Sequence, residues 1–221
     1  MNKTPWLLCL YWLWFFGLLL MGLVLLWDNG ILSVMFATDT TWLSPLMVAL
    51  FLLTCLHCGY RCLFLAHQTH ALQHWQAGNK PDESALMSGY LRELQAIPNA
   101  HEKQLMAELL GEQLRGQHQV GWFVTGLLIK LGLLGTVVGF VIMLGSMTQI
   151  ESLDIEQVQT LMQQMTQGMK IALNTTIIGL VGSMLLGLQY LMLDRTADRL
   201  VVEAVHASER KLFAGAAYGD V

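Results

Sequence analysis

Residues 127–147 read LLIKLGLLGTVVGFVIMLGSM, and the fold turns on that stretch. It is too apolar for a solvated surface and too rich in glycine for an ordinary soluble core helix. It is also long enough to cross most of a bilayer's hydrocarbon. Gly132 and Gly139 lie two turns apart and share a face, with Gly135 and Thr136 beside them. In lipid, small residues let a second backbone come close, because no hydrophobic drive holds helices together there. Residues 171–193 repeat the design, with Asn174, Thr175 and Thr176 followed by Gly179, Gly182 and Gly187. Three consecutive polar residues cannot all face one packing seam, and a side-chain amide in bare hydrocarbon is costly. The two stretches therefore read as membrane helices lining a hydrated ion path, the other segments holding and orienting them.

Lys130 interrupts the first stretch. At the bilayer centre a lysine costs about 2.5–3.5 kcal/mol, so it must snorkel, pair or face water. Two readings are open. The first turns of a run of about 28 residues can project beyond the hydrocarbon, which makes Lys130 an interfacial anchor. Alternatively it faces an inner vestibule of the path.

Composition agrees with a membrane protein. The 221 residues are 54% hydrophobic and only 13% charged, where soluble domains are about a quarter charged. The net charge of −4 leaves no basic excess for a general nucleic-acid footprint. Residues 6–27 carry no charge and are long enough to span. They exceed a signal-peptide core, and the closing WDNG has no cleavage pattern, so the helix is expected to be retained. A second apolar run covers 43–66, with Pro45 in its first turn, where a missing N–H costs little. Arg61 lies near its end, within snorkelling reach of the interface.

Residues 67–119 turn polar, with two amphipathic helices expected at 87–95 and 101–114, separated by Pro98. The channel-forming pair then occupies about 120–147 and 170–193. Between them lies the connection 148–169, in which the acidic, Gln-rich stretch 150–167 reads as an extramembrane amphipathic helix, and 194–221 reads as an amphipathic tail. Lys3, the 67–119 segment and the tail carry most of the Lys and Arg, while 28–41 and 148–169 carry none. The positive-inside rule then places both termini and the middle segment in the cytoplasm and 148–169 in the periplasm. The expected fold is an all-α integral membrane protein with four transmembrane helices.

Cys55, Cys58 and Cys62 share one face of the second helix, and read as small packing residues. A metal or heme site would need ligands converging from elsewhere, so no cofactor or metal is expected. His67, His70 and His74 repeat that spacing and read as a solvated face. No Asp or Glu lies within the four spans. A proton path normally needs an intramembrane carboxylate or histidine. His57 is the one span histidine, away from the threonines, so a proton path would take its carboxylate from another chain.

The motifs Gly-Leu-Leu-Gly-Thr-Val-Val-Gly (132–139) and Ala-Leu-Asn-Thr-Thr-Ile-Ile-Gly-Leu (172–180) resemble those of the MotA/TolQ/ExbB proton channel family. The two helices before the cytoplasmic segment are similar to the MotA arrangement, while the motif wording is nearer the TolQ/ExbB branch. Ile129 stands where the family often has proline, and Ile171 where the ExbB branch has an acid. The resemblance implies a non-enzymatic, pore-forming subunit of an ion-driven motor or energiser in the bacterial inner membrane. It implies a homopentamer around a dimer of a single-span MotB-, TolR- or ExbD-like partner with an intramembrane aspartate. By position Thr136 and Thr176 line the path, with Asn174 and Thr175 adjacent. Gly132, Gly135, Gly139 and Gly179 pack the pore helices. Proton and sodium both remain open, as do the processes such a motor drives, protein transport and flagellar rotation among them. Two other classes are compatible with parts of the sequence: a membrane thiol oxidoreductase using the cysteines, and a passive helix-packing scaffold.

Overall fold

A computed structural model describes residues 6–30, 32–33, 35, 39, 41–77, 86–96, 100–147 and 155–218. Six helices are bounded among them: α1 (Trp6–Asp28), α2 (Leu43–Gln76), α3 (Leu86–Ala96), α4 (Ala100–Arg115), α5 (His118–Met147) and α6 (Ile155–Tyr218). No strand occurs among the described residues. Four of the helices contain a segment long and apolar enough to cross a membrane: Cys9–Asp28, Leu43–Gln76, His118–Gly145 and Val158–Arg210. The all-α, four-span fold is the one expected from the sequence.

The helix ends have local causes. Gly30 takes a left-handed φ of 71° and donates to the Trp27 carbonyl, while Asn29 N–H donates to Leu25 O. The WDNG stretch thus closes α1 as a C-cap. Before α2, the Asp39 carboxylate accepts from Ser44 N–H at 2.6 Å, Thr41 N–H at 2.9 Å and the Thr41 hydroxyl at 2.5 Å. These bonds satisfy a first-turn donor that otherwise has no intrahelical partner. Gly116 N–H donates to Glu112 O and ends α4.

Two helices run longer than the hydropathy alone marks. α2 continues past residue 66 to Gln76, and α6 takes in most of the acidic connection, the span and most of the tail as 64 residues. At 1.5 Å per residue α6 is about 96 Å long, several times a hydrocarbon core of roughly 30 Å. Gly168, Gly179, Gly182 and Gly187 do not break it.

The chain divides into two compact units. The first comprises Met1–Trp14, His57–Val120 and Gln189–Val221. Its core gathers Leu65, Leu72, Leu91, Leu114, Tyr190 and Leu193, each 0–1% exposed. α3 supplies Met87, Tyr90 and Leu91 at helical spacing, with Arg92 and Glu93 outward. Met87 N–H, one of α3's first-turn donors, is satisfied by Gln68 Oε1 from α2. The Trp12 ring packs against Gly59, where only a missing Cβ leaves room.

Arg61 is turned into the protein. It is 2% exposed, donating to the Leu114 carbonyl at 2.6 Å and Gln117 Oε1 at 3.0 Å, with its guanidinium over the Phe64 ring. A cation at the end of α4 binds a carbonyl that the helix leaves unpaired and opposes the negative end of its dipole.

The second unit comprises Phe15–Leu56 and Gly121–Leu188. Here α5 and α6 pack on each other, and Met47 and Phe51 of α2 close over Gly179 and Gly182. Leu133, Val137, Phe140, Leu173, Ile177 and Met184 face outward, an arrangement suited to a lipid or protein environment rather than water.

Candidate functional site

The site is built on the α5–α6 seam. A Cβ added at Gly139 would lie 2.6 Å from Gly168 O and 2.9 Å from Ala172 Cβ. One at Gly132 would lie 3.2 Å from Thr175 O, and one at Gly179 would lie 2.7 Å from Leu128 O. Gly135 receives the side chain of Thr175 directly. The backbones therefore touch at two places, Gly132/Gly179 and Gly139/Gly168, about two turns apart on α5 and three on α6. Contact at this range depends on van der Waals packing, which the missing side chains permit. Gly168 has no place in the 132–139 or 172–180 motifs, and neither periodicity nor hydropathy marks it as the partner of Gly139.

The threonines divide by environment. Thr175 is wholly buried in the seam, although the sequence groups it with the path-facing residues. Thr136, Asn174 and Thr176 are half-buried. Each threonine hydroxyl donates to its own helix: Thr136 to Leu133 O at 2.6 Å, Thr175 to Ile171 O at 2.9 Å and Thr176 to Ala172 O at 2.9 Å. With its proton committed to the backbone, such an oxygen offers only lone pairs outward. It can accept from a hydrated cation, a hydronium or a protonated carboxyl. Lys130 is exposed on α5. A crevice of about 170 Å³ beside the Gly139–Gly168 contact is walled by Phe140, Met143, Met169 and Leu173. Its lining has no polar side chain to solvate an ion.

The first unit holds a buried polar cluster that sequence reading passed over. His118 Nδ1 lies 2.6 Å from Asp194 Oδ1. His57 Nδ1 lies 2.9 Å from the Tyr190 hydroxyl, and the Tyr190 ring stands edge-on to His118. Arg115 pairs with Asp198 at 3.1 Å. No spacing rule links a histidine before one span to an aspartate after another. The available signal was an acid directly following the apolar run of α6.

Cys55, Cys58 and Cys62 are buried and outside any disulfide, and Cys9 Sγ lies 3.6 Å from the Cys62 carbonyl. Among the described residues no three His, Cys, Asp or Glu side chains gather to hold a metal. His67, His70 and His74 are exposed, with the rings of His70 and His74 4.4 Å apart.

No curated protein and no solved structure matches the chain significantly. Residues 77–205 match the family described as the MotA/TolQ/ExbB proton channel family. The match takes in α3, α4, α5 and the part of α6 that carries both seam and threonines, more than half of the chain. This multi-pass membrane protein therefore belongs to the MotA/TolQ/ExbB proton channel family.

Proposed function

We propose that the chain is the pore-forming subunit of an ion-motive-force-driven motor or energiser in the bacterial inner membrane. Five copies surround two single-span partner helices, each supplying an intramembrane aspartate. The observation that carries this reading is the pair Thr136 and Thr176, half-buried on two helices locked together by glycine contacts, with hydroxyl protons already given to the backbone. Their oxygens solvate the ion as it approaches the partner's carboxylate. Thr175, buried in the seam, fixes the register of the two helices and does not line the path. Lys130 stands at the inner mouth. Each proton that crosses releases about 2.3 kcal/mol per 100 mV of membrane potential. A charged aspartate is held in the hydrated bore, and a protonated one becomes mobile against apolar walls, which turns proton flow into rotation of the pentamer about its partner.

The test is Thr136→Val and Thr176→Val, nearly isosteric changes that replace the hydroxyl by a methyl group. Both variants should still assemble with the partner while ion-coupled output falls by an order of magnitude or more. Full output from both, in assembled complexes, would overturn the pore assignment.

A further inference from the structure

The His118 side chain is 2% exposed, while the Asp194 side chain it touches is 26% exposed. Its two nitrogens meet different surroundings. Nδ1 faces a carboxylate that reaches solvent, and Nε2 is buried with no hydrogen-bond partner. From α2 the ring is neighboured by His57 and by Arg61, which is bonded to Gln117 next in the chain. From α6 it is faced by Tyr190 and Asp194. Arg115, at the end of α4, is engaged by Asp198.

A fastening between α5 and α6 does not require this arrangement. An asparagine amide could donate the same bond to Asp194 without leaving a buried ring nitrogen unpaired. A histidine adds the ability to hold a second proton. In the neutral ring the Nδ1–H donates to Asp194 and the Nε2 lone pair is open. Protonation forms one N–H bond at Nε2, and the adjacent carboxylate balances the charge. The bond to Asp194 persists in both states, so the proton can be taken up and returned without unfastening the helices.

We propose that His118 and Asp194 form a proton-binding site, separate from the threonine pair, whose occupancy sets the pH dependence of the ion-driven output. The consequence for output rests on the channel reading; the proton binding does not.

The experiment uses the full-length protein assembled with its partner and labelled with heavy nitrogen at histidine. Over the pH range in which the complex stays assembled, the signal lost in His118→Asn should change protonation state, the second proton arriving on the acid side. Asp194→Asn should move its midpoint down by about one to two units. His118→Asn should fold, yet give an output that no longer follows the pH of the arginine- and lysine-bearing side. A ring that keeps one protonation state across the range overturns the proposal. Wild-type pH dependence in assembled His118→Asn also overturns it and leaves the pair as a structural fastening. Should that variant not fold, the signal is identified by its displacement in Asp194→Asn, and the titration alone decides. Failure of the channel reading has a different signature: Thr136→Val and Thr176→Val would keep full output while His118 still titrated.

Discussion

At the scale of single residues, glycines with similar spacing do different work. Gly139→Ala drives a methyl into the Gly168 carbonyl, which is backbone and cannot rotate away. We expect it to destabilise the purified protein by about 1–3 kcal/mol in detergent unfolding, the usual range for overpacking. Gly145→Ala meets no described atom within 4 Å. It should be neutral, or stabilise the helix by up to about 1 kcal/mol through propensity. Equal effects at the two positions would remove the seam as the reason for the glycines. Asp39 gives a pH-dependent counterpart outside the spans. Burial pushes its carboxyl up, but the hydrogen bonds from Ser44 and Thr41 outweigh this and hold it below the ordinary carboxylate value. A depressed folded value means that the stabilisation is present above the unfolded value of about 3.9 and is lost as pH falls through the folded one. Asp39→Ala should therefore speed amide exchange at Ser44 near neutral pH, and the difference from wild type should shrink in acid. A difference that persists unchanged at acid pH would contradict the capping role.

At the scale of elements, Arg61 fixes the end of α4 through the Leu114 carbonyl and Gln117. Arg61→Met keeps much of the volume but removes both bonds, and should cost about 1.5–3 kcal/mol, as expected for hydrogen bonds made by a charged donor. Hydrogen exchange across residues 110–117 should accelerate while 127–140 stays near wild type. Arg61→Lys should rescue incompletely, because a point charge cannot reproduce the two-pronged geometry. In the second unit the corresponding element is the α5–α6 pair. Its rigidity comes from backbone contact, so the threonines are presented by elements that cannot separate without opening the glycine crossings.

At the scale of the whole molecule, one chain is half of the proposed device. Its apolar runs 6–27, 43–66, 120–147 and 170–193 hold no Asp or Glu, and large apolar side chains of α1, α5 and α6 remain exposed in the single chain. Mass measurement of the complex with its partner should give five copies of this chain to two of the partner. A different ratio, or a partner without an intramembrane acid, would refute the assembly proposed above.

What the sequence determined alone is what depends on local composition and period. Four apolar runs, the absence of acids within them, the end of α1 at WDNG and the polar 67–119 segment all follow from side chains meeting lipid or water, and each is visible within a short window. The family motifs were legible for the same reason, since glycine spacing and hydroxyl position are properties of one helix. The tertiary structure decided everything that depends on two helices at once. It put Thr175 rather than open space against Gly135, chose Gly168 as the partner of Gly139, and turned Arg61 inward to a carbonyl more than fifty residues away. It also brought His118 to Asp194 across 76 residues. Such pairings are set by how helices cross and which backbone comes near, and the rotation of one helix against another is not encoded in the period of either.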